Sequence, residues 1–146
     1  SGVPYAGAYT ATKVAVVGMS EAWQVELAKD NIHVSVLCPA FVKTRIHLSH
    51  RNRQDQYKEP VASSSNINKA AIKNTAAQLV ENGIPAELVG LRVVEAVVAG
   101  EFYIFTHPGH RKDIAKRAAA IDAAFERAAA SPLLVDVVDV EIPDFG

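Results

Sequence analysis

Several features that mark particular classes of protein are scarce or absent in this sequence. A single cysteine, Cys38, excludes a disulfide within the chain and favours a reducing compartment such as the cytoplasm. No apolar run approaches the roughly 20 residues that a membrane-spanning helix needs. The 15 lysines and arginines are balanced by 16 aspartates and glutamates, which gives a net charge of −1. We therefore expect no nucleic-acid partner and no membrane partner.

What the sequence does contain suits one folded domain. Its 146 residues are 49% hydrophobic and 21% charged, which is enough apolar material for a sizeable core. The chain opens without methionine on the segment SGVPYAG, which has the composition of the end of a loop. We therefore expect further polypeptide upstream of Ser1.

Helix and strand patterns alternate along the chain, which predicts an α/β fold with a parallel sheet. The predicted elements are helix 14–28, strand 32–38, a polar connection over 45–68, helices 67–82 and 85–99, strand 101–107 and helix 112–130. The tail that follows is expected to be an edge strand or an arm. Because two strands are too few for a stable sheet, either another chain completes the fold or this sequence is part of a larger domain.

Two of the predicted helices are strongly apolar. In helix 14–28 one stripe is formed by Val16, Met19, Trp23 and Leu27, and further apolar residues widen it almost all round. We expect that helix to be buried on more than one side, by its own domain or by another subunit. In helix 85–99 the predicted apolar face is formed by Leu88, Leu91, Val94, Val97 and Val98.

The segment YAGAYTATK places a tyrosine, Tyr9, four residues before Lys13 at the start of the first helix. Residues at that spacing lie on one face of a helix, about one turn apart. A free phenol has a pKa near 10, but a nearby ammonium group and the positive end of a helix both favour the phenolate. Such a phenol is able to accept or donate a proton in a transition state.

Tyr9, Lys13 and the small residues between them resemble the active-site motif of the short-chain dehydrogenase/reductase family. The resemblance extends through AYTATKVAVVGMSEAWQVELAKDNIHVSVLCPAFVKT, which is similar to the family's helix, short turn, strand and Pro-Gly-x-Val-x-Thr loop. GEFYIFTHP is similar to the last core strand of many members. In all, the resemblance covers about residues 1–115.

This resemblance implies specific roles for individual residues. It makes Tyr9 the general acid/base, and it makes Lys13 the residue that promotes Tyr9 ionisation and holds the ribose hydroxyls of NAD or NADP. Thr44 matches the threonine that binds the nicotinamide carboxamide, and Pro39 and Val42 match positions packed against the nicotinamide end. Ala40 lies where the family has glycine, so a methyl group occupies a cofactor-facing turn.

Other elements of the family pattern are missing from this sequence. The catalytic serine, the helix asparagine and the glycine-rich phosphate loop all lie upstream of the tyrosine in the family, and Ser1 is too close to Tyr9 to be that serine. The resemblance therefore implies the C-terminal part of a Rossmann-like, doubly wound parallel sheet, a partial domain over 1–146 without the cofactor-binding half. Its parts are the active-site helix, a substrate loop at about 45–68, the last core strand at about 102–106, and a C-terminal helix and tail.

The activity implied is that of an NAD(P)-dependent alcohol dehydrogenase or carbonyl reductase. Two alternatives stay open, namely an epimerase or dehydratase that uses the same tyrosine and lysine, and a non-catalytic association module. The family also implies a homodimer or homotetramer. No metal site is expected, because the pairs His47/His50 and His107/His110 each lack a third ligand at a suitable spacing.

Overall fold

The structure is a computed structural model that describes residues 6–52, 54, 56 and 67–137. It has a mixed α/β architecture, which confirms the predicted fold class. The elements are α1 (Gly7–Ala28), β1 (Val36–Cys38), β2 (Val42–Lys43), α2 (Ile67–Glu81), β3 (Ile84–Pro85), α3 (Ala86–Val98), β4 (Tyr103–Phe105) and α4 (Arg111–Ala129), with 3-10 turns at Ile46–Asn52 and Pro108–His110.

The described residues form two compact units. The first contains the residues up to Val36 together with those from His107 onward, and the second is Leu37–Thr106. The expectation of one partial Rossmann-like domain over residues 1–146 stays a prediction.

Helix α1 ends at Ala28 as predicted, but it begins at Gly7, before the predicted start at residue 14, and so includes Tyr9 and Lys13. Thr10 N–H donates to Ala6 C=O at 2.8 Å in its first turn. At its C-terminal end Asn31 adopts a left-handed conformation, φ 57°, which turns the chain out of the helix. Ser20 is its one buried residue, and the Ser20 hydroxyl donates to Val16 C=O at 2.8 Å, within its own helix. The apolar stripe predicted to be buried is largely exposed, since Met19 and Trp23 are each almost half accessible.

The strand predicted at 32–38 is shorter than expected. Only Val36–Cys38 is extended and paired, with β4 as its partner in a two-stranded sheet. β4 is itself only three residues long, and Ile32 is half exposed. Within β1, Val36 is buried and Leu37 is exposed.

The second unit contains a strand pair that the sequence pattern did not indicate. β2 and β3 run parallel, with Val42 opposite Ile84 and Lys43 opposite Pro85. Pro85 therefore lies at the end of β3, as the N-cap residue of α3, and not within the first helical turn. Helix α3 contacts β2, β3 and β4, so it covers both short strand pairs on one side.

The buried face of α3 lies opposite to the predicted one. Val89 and Ala96, two helical turns apart, are 9% and 0% exposed. The five residues of the predicted face are all more than half accessible, Val98 most of all at 84%. Both faces are apolar, so periodicity does not decide between them, and the strands pack on the side of Val89 and Ala96. Ile104, at the centre of β4, completes this small core.

A charged pair and a glycine fix the connection from α3 to β4. Arg92 donates hydrogen bonds to the carboxylates of Glu101, which lies just before β4, and of Glu95. The distance to the Glu95 carboxylate is 3.3 Å. The hydrogen bond to Glu101 raises the pKa of the Arg92 guanidinium. Gly100 has φ +71°, a left-handed conformation that glycine adopts at little cost. This confirms the predicted helix end at Gly100.

Helix α4 is exposed along almost its whole length. Asp113 lies in its first turn and Arg127 in its last, which is the favourable arrangement for the helix dipole. None of the helices in the described ranges is long and apolar enough to cross a membrane. Half of the predicted substrate loop (residues 53, 55 and 57–66) and the last part of the tail (138–146) lie outside the described residues.

Candidate active site

Tyr9 and Lys13 are placed by the first two turns of α1. The Thr12 hydroxyl donates to Tyr9 C=O at 2.7 Å, so the small side chain beside Tyr9 bonds back to the helix and leaves the approach to the phenol uncrowded. The first turn carries no acidic side chain. The partial positive charge at this helix end is therefore not offset by a carboxylate of that turn.

The structure brings the Tyr9 and Lys13 side chains together. Lys13 Nζ lies over the Tyr9 ring, 5.5 Å from the ring centroid, which is within the range of a cation–π contact. Both residues are exposed, Tyr9 to 55%. The predicted same-face arrangement is therefore present, and the phenol is accessible to a ligand. In this conformation the ammonium group contacts the face of the ring.

The other predicted site residues lie at and beside β2 in the second unit. Pro39 and Thr44 are exposed, while Ala40 and Val42 are half-buried. The Thr44 hydroxyl oxygen accepts a hydrogen bond from Ile46 N–H at 3.4 Å. Its own hydrogen is left to donate to an acceptor such as a carboxamide oxygen. Their proposed common site with Tyr9 and Lys13 would involve both compact units and stays a prediction.

Other clusters of potential interest carry less chemistry. The rings of His107 and His110 are 5.9 Å apart, and His110 Nδ1 lies 3.4 Å from Asp113 Oδ2 at the start of α4. Within the described ranges no group of three His, Cys, Asp or Glu side chains is arranged to hold a metal ion. The side chains of His47 and His50 lie outside the description.

Sequence reasoning missed the role of Gly83, which directly follows the predicted helix 67–82. A Cβ atom added to Gly83 would lie 2.5 Å from Phe41 O and 2.9 Å from Val42 C. Gly83 thus packs directly against the backbone of the turn that carries Pro39, Ala40, Val42 and Thr44. The sequence signal that was available is that Gly83 directly precedes the apolar pair Ile84-Pro85. Two residues are too few to show the periodicity of a strand.

Comparison with known families shows which class of protein carries such a tyrosine–lysine pair on a helix. Residues 1–55, which include both Tyr9 and Lys13 and the segment from Pro39 to Thr44, match the sequence profile of the short chain dehydrogenase family. Over these residues the chain has the sequence pattern of the short-chain dehydrogenase/reductase family.

Two relatives sharpen this assignment. A "CLA biosynthesis dehydrogenase/reductase" of Lactiplantibacillus plantarum is 34% identical over 113 residues, which are 75% of this chain and 39% of the relative. A protein of Streptomyces coelicolor, provisionally named a ketoacyl reductase, is 44% identical over 50 residues, 34% of this chain and 19% of the relative. The matched part of the chain thus spans well under half the length of either curated relative.

Proposed function

We propose that the protein is an NAD(P)-dependent oxidoreductase that interconverts an alcohol and a carbonyl compound. The observation that carries the proposal is the pairing of Lys13 Nζ with the exposed Tyr9 ring at a distance of 5.5 Å. The sequence pattern of the family adds to it, and so do the names of the two relatives, a dehydrogenase/reductase and a ketoacyl reductase.

The donors present in each unit suit parts of a nicotinamide dinucleotide. The Lys13 ammonium group is a hydrogen-bond donor that fits ribose hydroxyls, and the Thr44 hydroxyl is a donor that fits a carboxamide oxygen. The half-buried side chains of Ala40 and Val42 offer apolar surface for a pyridine ring. These residues fit the cofactor, so Lys13, Pro39, Ala40, Val42 and Thr44 are its proposed ligands in this chain.

Proton transfer is the part of the reaction that this chain's own side chains perform. When bound, the nicotinamide supplies a hydride to the carbonyl carbon, or accepts one from the alcohol carbon. In the reductive direction Tyr9 Oη donates its proton to the substrate oxygen as the C=O double bond becomes a single bond, and Tyr9 is left as the phenolate. Lys13 stabilises that phenolate by its positive charge, and oxidation runs the same proton transfer in reverse.

Steady-state kinetics test this proposal. They use the intact protein, meaning the chain together with the polypeptide expected upstream of Ser1. We expect net oxidation or reduction of a nicotinamide dinucleotide with an alcohol or carbonyl substrate, and a kinetic isotope effect when the transferred hydrogen of the cofactor is deuterium. Catalysis without net cofactor turnover would instead favour an epimerase or dehydratase. Failure of the intact protein to bind either NAD(H) or NADP(H) would contradict the proposal and favour a non-catalytic association module.

We expect the 146-residue chain by itself to bind no dinucleotide, because it contains no glycine-rich phosphate-binding loop. Isothermal titration of the chain with NADH and NADPH checks this expectation. Tight binding of either one by the chain alone would show that the phosphate groups are held by residues other than such a loop.

We further propose that the protein is a cytoplasmic homodimer or homotetramer that associates through α1. The support is the exposed apolar surface of this helix, including Met19 and Trp23. Replacing Trp23 with glutamate is expected to shift the protein towards monomer in sedimentation velocity experiments. A monomeric wild-type protein would contradict this proposal and leave the oxidoreductase proposal intact.

A further inference from the structure

Gly83 makes the closest backbone approach among the glycines of the described residues. Its missing Cβ would lie 2.5 Å from Phe41 O, 2.7 Å from Phe41 C and 2.9 Å from Val42 C, whereas Gly7, Gly18, Gly90, Gly100 and Gly109 have open space at that position. All three neighbours of Gly83 are backbone atoms. No side-chain rotation relieves the clash, so any residue with a Cβ forces the two backbone segments apart.

The segments that meet at Gly83 are the starts of the two strands of the small parallel pair, β2 and β3. Ile84 N–H, next to Gly83, donates to Phe41 C=O at 3.1 Å. Val42 then faces Ile84, and Lys43 faces Pro85. Helix α2 contacts β2, and α3 contacts both strands, so both helices pack against the pair. The position of residues 41–43 therefore depends on how closely Gly83 approaches them.

Residues 41–43 lie within the segment that the proposed function places beside the nicotinamide. We propose that Gly83 is a positioning residue for nicotinamide binding, acting through the backbone of Phe41 and Val42 on the proposed ligands Pro39 to Thr44. This inference rests on the proposed function. It adds that a residue outside that segment, immediately before the opposite strand β3, sets the geometry of the nicotinamide end of the site.

Substitution of Gly83 by alanine in the intact protein tests the inference. Two ligands are titrated, namely the reduced dinucleotide that the wild type prefers and the matching ADP-ribose, which lacks the nicotinamide. We expect Gly83→Ala to raise the Kd of the dinucleotide on the order of tenfold, because displacing a positioned group by about 1 Å is enough to cost on the order of a hundredfold in rate. The Kd of ADP-ribose is expected to stay unchanged.

Gly90→Ala is the matched control, since Gly90 lies in α3 of the same unit and has open space where a Cβ would be. It is expected to change neither Kd. Equal Kd values for the dinucleotide in Gly83→Ala and wild type, or equal weakening of both ligands, would overturn the inference. If the wild type binds both ADP-ribose and the dinucleotide, the proposed function stands whatever the result for Gly83→Ala. A wild type that binds neither ligand removes the proposed function, and this inference with it.

Hydrogen exchange in the wild type decides the matter if the alanine variant does not fold. The reporter is the Ile84 amide, which donates to Phe41 C=O. If the strand pair and the nicotinamide site are coupled, saturating dinucleotide slows exchange at Ile84 more than saturating ADP-ribose does. Equal protection by both ligands would overturn the inference.

Discussion

Helices α1 and α3 are both apolar over most of their surface, yet they are packed very differently. In α3 the face with Val89 and Ala96 is buried against short strands, and only the opposite face is exposed. In α1 a single residue, Ser20, is buried. The difference shows what an apolar sequence pattern predicts. It predicts that a helix packs against other residues, whereas the face that is buried depends on which elements lie beside the helix.

The two helices also differ in what their exposed surfaces offer. The exposed face of α3 is aliphatic and carries no proposed chemistry. The exposed surface of α1 includes the Tyr9 phenol beside the Lys13 ammonium group, so an accessible reactive pair lies on a helix that has little packing of its own. Substitutions in the two helices and in the core that α3 covers should therefore separate loss of activity from loss of stability.

The largest effect is expected from replacing Tyr9 with phenylalanine, which removes the proton donor and keeps the ring that Lys13 contacts. Because general acid–base catalysis contributes about 10²- to 10⁴-fold, we expect kcat to fall by that range with little change in the free energy of unfolding. Steady-state kinetics and urea unfolding measure the two quantities. Tyr5→Phe is the control, since Tyr5 has no lysine four residues later. Wild-type kcat in Tyr9→Phe would disprove its role.

The next largest effect is expected in the core beneath α3. Ile104, 2% exposed, is the largest fully buried side chain of the described residues. Replacing it with alanine leaves a cavity, and such changes cost about 2–5 kcal/mol in the free energy of unfolding. The control is Val98→Ala on the exposed face of α3, for which we expect a change within about 0.5 kcal/mol. A larger loss for Val98 than for Ile104 in urea unfolding would mean that the faces of α3 are assigned the wrong way round.

A smaller loss of rate is expected from replacing Lys13 with methionine, which keeps most of the side-chain length and removes the charge. Removing one preorganised electrostatic contact typically costs on the order of a hundredfold in kcat. The dinucleotide Kd should rise as well, since Lys13 is also a proposed ribose ligand. Lys29→Met, at the other end of α1, is the control and should change neither quantity. If Lys13→Met matched the wild type in both, the contact with Tyr9 would have no part in catalysis.

Local patterns were sufficient to predict the parts of the molecule that local contacts determine. The bounds of α4, the C-terminal end of α1 and the shared face of Tyr9 and Lys13 all follow from interactions within a few residues. They could therefore be predicted from the sequence. The proton transfer proposed for the site depends mainly on one of them, the shared face of Tyr9 and Lys13.

Contacts between distant segments were not readable in this way. The buried face of α3 was predicted wrongly because Leu91 and Val89 are equally apolar, and only the position of the strands distinguishes them. The pairing of β2 with β3 escaped because two-residue strands have no periodicity. The requirement for glycine at position 83 comes from Phe41, which approaches it only in the folded chain.

The smallest effect is expected at Gly100, where the requirement for glycine is conformational and not steric. A Cβ at this position meets open space, but φ is +71°. Replacing Gly100 with alanine should cost about 1 kcal/mol in the free energy of unfolding, because the left-handed conformation is strained by roughly 1–2 kcal/mol in residues with a side chain. Gly90→Ala, inside α3, should instead stabilise the protein by up to about 1 kcal/mol. Opposite signs in urea unfolding are therefore expected from the same chemical change within one unit, and equal signs would mean that the end of α3 is not held in the left-handed conformation.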